Sequence, residues 1–180
     1  MTLTTVPTSF AQLQEASIDQ VGWFIFAASV ATLGGAYFFQ YVLELEPCEM
    51  CLWQRPPYWT AILMGVLAGT AHHVRLLPRN MGRIFVGIAA LVFVIGAGIA
   101  FYHAGVEQKW WEGPSSCTGA PALPDSFKDF QAGIETAKVQ RCDEIPWSFL
   151  GLSLAGYNVL ISLGLAFVSL WGVFRAKEAA

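Results

Sequence analysis

Apolar residues in this chain come in long runs and not in alternation. Residues 21–43, 56–74, 84–106 and 145–174 contain no Asp, Glu, Lys or Arg. A transmembrane helix needs roughly 20 mainly apolar residues, and each run meets or approaches that length. Lipid offers backbone polar groups no partner but each other, so a spanning segment is a helix or part of a closed barrel. Continuous runs fit helices, because barrel strands alternate. The pattern predicts an all-α membrane protein, a four-transmembrane-helix bundle forming one domain over residues 1–180. Its spans lie near 21–43, 56–74, 84–106 and 147–174, and the connections near 44–55 and 107–146 share one side. The second run is the weakest, since His72 and His73 fill its end.

The polar stretches have structure of their own. Pro56-Pro57 suits the first turn of the second span, where proline is tolerated. Gly65 and Gly69 share one face of that span, where small residues let membrane helices approach; packing inside the bundle is the expected use. Trp110 and Trp111 are expected as an interfacial anchor beyond the third span, and Trp53, Trp59 and Trp147 are read as interfacial too. In the long loop, Phe127, Phe130, Ile134 and Ala137 recur at helical spacing behind Ser126, a candidate N-cap. This predicts a short amphipathic helix over 127–139, lying on the membrane surface or presenting a docking face.

Composition agrees with the runs. The chain is 55% hydrophobic and 13% charged, against about 25% charged in ordinary soluble domains. A net charge of -3, with no long basic patch, excludes tracking of a nucleic-acid backbone. Residues 1–20 carry no Lys or Arg, whereas a cleaved signal peptide starts with positive charge and has a shorter apolar core. The first run is therefore expected to be retained, with a short surface helix possible over 8–19 and no role assigned to 1–20.

Basic residues in short loops mark the cytoplasmic side. Arg75, Arg79, Arg83, Arg175 and Lys177 fall on one side of the bundle; Arg55, Lys109, Lys128, Lys138 and Arg141 fall on the other. The numbers tie, but the first set is packed against span ends while Lys128 and Lys138 sit mid-loop. Both termini are thus expected in the cytoplasm. All four cysteines, Cys48, Cys51, Cys117 and Cys142, are then outside it, in a compartment where disulfides persist.

Cys48-Glu49-Met50-Cys51 lies at the mouth of a span. Four cysteines allow three connectivities, and the short spacing favours pairing of Cys48 with Cys51. Such a bridge closes a tiny loop and constrains the unfolded chain little, so redox exchange is a better use than stapling, and these motifs can lower one thiol's pKa. Zinc would want four ligands in close pairs. Cys117 and Cys142 stand far apart with no histidine in their loop, so no metal is expected. Arg55 could favour a thiolate or a reduced carrier's charge, the bland alternative being a snorkelling side chain. Glu44, Glu46 and Glu49 would disfavour thiolate and are read as solvated. His103, on the cysteine side, could handle protons for a carrier; His72 and His73 lie opposite. Alone, Cys117 and Cys142 read as a loop staple; beside a membrane-edge C-x-x-C they read as a relay.

The run Pro47-Cys48-Glu49-Met50-Cys51-Leu52-Trp53-Gln54-Arg55-Pro56 resembles the P-C-x-x-C-x-x-x-R signature of the bacterial disulfide bond formation protein B (DsbB) family. The four-span layout and Trp147-Ser148-Phe149-Leu150-Gly151-Leu152 after the last cysteine are similar too, so the likeness runs from about residue 21 to 174. The resemblance implies an enzyme of the bacterial inner membrane, a quinone-dependent thiol oxidase, with Cys48, Cys51, Cys117 and Cys142 catalytic. It implies that Cys117–Cys142 is the disulfide attacked, at Cys117, by a periplasmic thioredoxin-fold thiol oxidase (DsbA-like). Cys142 would then attack Cys48, leaving Cys51 as the thiolate facing the quinone. Arg55 and Cys51 would bind that cofactor, ubiquinone or menaquinone; His103 joins them by its place on the cysteine side, not by the resemblance. Two alternatives stand beside it. A quinone reductase of the vitamin K epoxide reductase type places its C-x-x-C among the last spans and fits the motif order less well. A membrane assembly subunit with two structural disulfides would be no enzyme. Which quinone, which partner and what oligomeric state are not legible.

Overall fold

The computed structural model describes residues 17–73, 78, 80–118 and 140–175. In chain order these form α1 (Ile18–Tyr41), a short α2 (Glu49–Trp53), α3 (Arg55–Thr70) continued by a 3-10 turn (Ala71–His73), α4 (Met81–Glu107), a one-turn α5 (Ser115–Thr118), a hairpin of β1 (Ser148–Phe149) and β2 (Leu152–Ser153), and α6 (Leu154–Arg175). The protein is mostly helical, as its apolar runs predict. Three helices, α1, α4 and α6, are long and apolar enough to cross a membrane. At 16 residues, α3 rises only about 24 Å, so it is the short member of the set. The amphipathic helix expected over 127–139 and the segment 8–16 lie outside the described residues.

Local chemistry sets the helix ends. The first helix begins at Ile18, earlier than the apolar run, because Gln20 Oε1 accepts a hydrogen bond from the Ser17 backbone N–H at 3.2 Å and satisfies a group that a bare helix start leaves orphaned. Pro56 and Pro57 occupy the first turn of α3, as expected of residues that lack an N–H to lose. The fourth apolar run differs from its expectation: it is helical only from Leu154. Ahead of it, Phe149 pairs with Leu152 and Ser148 with Ser153 around Leu150 (φ 50°) and Gly151 (φ 80°). Two successive positive φ values make the tight hairpin turn that matches strand twist, and Tyr157 Oη donates to the Phe149 carbonyl at 3.0 Å to hold it. Hydrophobicity is blind to this turn, since Leu150 and Phe149 are apolar.

α1 packs on α3, α3 on α4, and α4 on α6. The core between them holds Ile25, Tyr58, Ala61, Val86, Ala89, Phe93 and Leu165. Outward faces carry exposed Phe24, Leu63, Leu91, Phe167 and Phe174, the inverse of a water-soluble surface and the right one for lipid. Helices in lipid gain little from burial alone and pack by close approach of small residues. A Cβ built on Gly65 would stand 2.7 Å from the Phe26 backbone nitrogen and 2.8 Å from the Gly22 carbonyl oxygen. Backbone meets backbone there, so the Gly65 and Gly69 face works within the bundle, against α1. Gly65→Val is expected to lower the thermal unfolding midpoint in detergent, at a cost of about 1–3 kcal/mol typical of overpacking. Gly98→Val, where nothing lies within 4 Å, serves as the control. Equal midpoints for the two variants would refute the contact's importance.

Candidate redox site

The chain stretch between α1 and α3 is short and tightly held. Cys48 is the N-cap of α2, and its sulfur accepts the Cys51 backbone N–H at 3.3 Å. The cap puts both sulfurs on one turn, with Sγ atoms 2.8 Å apart. Cys48 is buried and Cys51 half-buried, with Met50 fully enclosed beside them.

The second pair reaches this turn from the long loop. Cys117 sits on α5, whose turn closes through the Cys117 and Thr118 N–H groups on the Pro114 carbonyl, both at 2.9 Å. Cys117 and Cys142 are bridged as a disulfide, their Cα atoms 5.5 Å apart. Arg141 fastens the returning strand: its Nη2 donates to the Thr118 carbonyl at 2.9 Å and to Asp143 Oδ2 at 3.0 Å, and its Nε to Asp143 Oδ1 at 2.9 Å. The guanidinium holds the Asp143 carboxyl below the usual carboxylate range. Glu49, expected to be merely solvated, accepts from Ser116 Oγ at 2.8 Å and ties α2 to α5. Trp111 packs directly against Gly105, where a Cβ would stand 2.0 Å from its ring, and its Nε1 donates to the Tyr102 carbonyl at 2.9 Å. The two described ends of the loop, 108–118 and 140–147, are thus held beside the cysteines.

Cys48, Cys117 and Cys142 bury together with Met50 and Val106, and Cys51 packs against them. The sulfurs of Cys48, Cys117 and Cys142 all lie within 4.8 Å of one another. The four cysteines that the sequence singles out therefore form one cluster. Within the C-x-x-C pair the two thiols share a proton unequally. The Cys51 side chain is the largest influence drawing Cys48 down, to about 5, with His103 helping and burial opposing. Cys51 is held well above the ordinary thiol range, chiefly by its hydrogen bond to Cys48. We assign the thiolate to Cys48 because its sulfur also receives a helix N-terminal N–H, the position that stabilises thiolates.

His103 contacts this pair, whereas Arg55 engages residues of α1. His103 is buried, with Nε2 3.5 Å from Cys48 Sγ. Arg55 turns to α1, where Nη2 donates to Gln40 Oε1 at 2.7 Å and the guanidinium lies 4.8 Å over the Tyr37 ring. Several polar residues escaped the sequence reading. Gln54 Nε2 stands 2.8 Å from His103 Nδ1 and 3.2 Å from the Met50 carbonyl. Asn158 Nδ2 donates to Gln54 Oε1 at 2.5 Å, and Tyr58 Oη to Asn158 Oδ1 at 2.5 Å. Glu107 Oε1 is 3.8 Å from His103 Nε2, and its other oxygen accepts from Ser153 Oγ. A signal existed: polar side chains within or at the ends of membrane segments are expensive and mark function. Asn158 interrupts the fourth run, and Glu107 closes the third.

The sequence profile of the family described as disulfide bond formation protein DsbB matches residues 19–172. Curated relatives with the name disulfide bond formation protein B are similar over most of their length. The protein of a Polaromonas species is 32% identical over 154 residues, 79% of this chain and 83% of that protein. That of Xanthomonas euvesicatoria is 31% identical over 159 residues, 86% and 90% of the two chains. That of Nitrosococcus oceani is 30% identical over 167 residues, 89% and 92%.

Proposed function

Because this chain belongs to the disulfide bond formation protein B family, a family of membrane disulfide-generating oxidoreductases, we propose that it reoxidises a periplasmic thioredoxin-fold thiol oxidase and delivers the electrons to a membrane quinone. The observation that carries this reading is the approach of three sulfurs, Cys48, Cys117 and Cys142, to within 4.8 Å of one another. Thiol–disulfide exchange proceeds by thiolate attack through a mixed disulfide, and here successive attacks need only small displacements. A partner thiolate attacks Cys117 Sγ; the Cys117–Cys142 bond breaks and Cys142 leaves with its electron pair. Cys142 attacks Cys48 Sγ, the Cys48–Cys51 bond breaks, and Cys51 is left as the thiolate.

The surroundings of Cys51 and Arg55 suit a quinone head group. Arg55 and Gln40 supply polar groups at an edge flanked by exposed Phe38, Tyr41, Leu52 and Trp53, so a ring with polar oxygens and an apolar tail meets matching surfaces. Arg55 and Gln40 would hold the quinone there, and when bound it would take two electrons and two protons as the Cys48–Cys51 disulfide re-forms. Ubiquinone is the first candidate and menaquinone the second. The protein works as a four-span bundle of the bacterial inner membrane, α3 with its 3-10 turn being the shortest span. Both termini are cytoplasmic and all four cysteines periplasmic.

The test is quinone reduction, followed by its ultraviolet absorbance, with the purified protein in detergent and a reduced thioredoxin-fold thiol oxidase as donor. Continuous turnover is expected for the wild type and none for Cys51→Ser or Cys117→Ser. Turnover persisting in either variant would break the two-pair relay, and a wild type inert with both quinones would return the chain to a structural role.

A further inference from the structure

Gln54 is buried in the described bundle and no thiol step uses it, yet its contacts fix the state of the histidine behind Cys48. Its amide orientation is set from outside. The Met50 carbonyl can only accept, so the Gln54 atom 3.2 Å from it is the NH2 group. Asn158 Nδ2, a donor, sits 2.5 Å from the other end, which must be the carbonyl oxygen. The same Gln54 NH2 stands 2.8 Å from His103 Nδ1. An NH2 group offers only protons, so Nδ1 has to be the unprotonated, accepting nitrogen. A neutral imidazole carries one proton, and it is therefore on Nε2. That nitrogen faces Cys48 Sγ at 3.5 Å.

We infer that Gln54 is a positioning residue: anchored by the Met50 carbonyl and Asn158, it locks His103 as the Nε2–H tautomer, so that the ring donates a hydrogen bond to Cys48 Sγ and stabilises that sulfur whenever it carries the charge. Other groups facing the ring are Glu107, 3.8 Å from Nε2 and engaged by Ser153, the Cys142 carbonyl, and Cys51 on the far side of Cys48. None of these donates to Nδ1. The role given to the charge rests on the relay reading above. In its return half, the partner's second thiolate first attacks its own sulfur in the partner–Cys117 mixed disulfide, so that the partner leaves oxidised and Cys117 is freed as a thiolate. That thiolate then attacks Cys142 in the Cys48–Cys142 bridge. The Cys117–Cys142 bond re-forms, the Cys48–Cys142 bond breaks, and Cys48 leaves as a thiolate with the electron pair. No proton moves in that step, and the Nε2–H is already aimed at the departing sulfur. The same tautomer withholds Nε2 from a metal ion, although Cys48, Cys51 and His103 are close enough together to hold one.

The tautomer can be read directly. The reduced full-length protein, labelled with 15N-histidine in detergent micelles, is examined by NMR, and His103 is assigned by the signal lost in His103→Asn. The expected spectrum shows a pyrrole-type Nε2 and a pyridine-type Nδ1. In Gln54→Glu the carboxylate accepts instead of donating, and Nδ1 is expected to gain a proton. In Gln54→Leu the lock is gone, and the Cys48 thiolate absorbance is expected to titrate about one pH unit higher, a tenfold loss consistent with a hydrogen bond to a charged group. A pyridine-type Nε2 in the wild type overturns the inference, as does an unchanged tautomer in Gln54→Glu. Neither readout needs quinone or partner, so failure here is separable from failure of the proposed function.

Discussion

Cys48→Ser is expected to oxidise one equivalent of partner dithiol per chain and then stop. The Cys117–Cys142 disulfide is intact in that variant. Both cysteines are buried, so a partner reduces it by local opening of the contacts that Arg141 and α5 make, which the substitution leaves in place. The two electrons then have no disulfide to enter, because a serine oxygen cannot form one and Cys51 alone has no bridge to open. Steady turnover should fall by at least about a thousandfold, in the range seen when a covalent catalytic group is removed. The single-equivalent burst is the informative part. It is measured by quantifying partner disulfide against protein on mixing, without quinone and with it. Repeated turnover would mean that electrons leave Cys117–Cys142 by a route that bypasses the C-x-x-C turn. No burst at all would mean that the loop disulfide is not the entry point.

The second large effect concerns protons. With both C-x-x-C thiols reduced, Cys48 is expected to stay ionised down to about pH 5, while Cys51 keeps its proton far into the alkaline range. An ordinary thiol with pKa ~8.5 is only a few per cent ionised at pH 7, so Cys48 carries about thirtyfold more thiolate there. The sign follows from the lowered value: the thiolate is present above pH 5 and disappears as pH falls through it. In a Cys117→Ser/Cys142→Ser chain, far-ultraviolet thiolate absorbance should show one thiolate per protein at neutral pH, lost near pH 5. In the further Cys48→Ser variant it should show none at neutral pH. Two thiolates rising together near pH 8–9, as for ordinary cysteines, would show that the cap on Cys48 and the bond from Cys51 do not act. On the proposed relay, Cys51 becomes the charged sulfur only once Cys48 is tied to Cys142, so the anion would pass from the buried Cys48 to the half-buried Cys51.

The apolar runs gave the helices, because membrane helices are written in composition alone. They misplaced the start of α6, since a positive-φ turn at Leu150-Gly151 depends on backbone geometry and Leu150 carries no mark of it. The cysteines were legible by spacing and resemblance, but their convergence was not: it comes from Trp111 folding onto Gly105 and from Arg141 reaching Thr118, contacts with no periodicity. Gln54, Asn158 and Glu107 were visible as polar residues near spans. What they do required knowing which atom of an amide faces which nitrogen of a ring.

The close approach of Gly22 and Gly65 joins α1 to α3, its near neighbour in sequence, with the Cys48–Cys51 turn as the tip of their hairpin. Contacts between neighbours in sequence form early, and chains are built from the N-terminus onward. The C-x-x-C turn can therefore be shaped while Cys117 and Cys142 are still being synthesised. An oxidant meeting the nascent chain at that stage finds one possible bridge, where the four cysteines of the finished chain offer six. Order of synthesis would thus favour the pairing of Cys48 with Cys51, and two glycines far from any sulfur would contribute to it by letting the hairpin close.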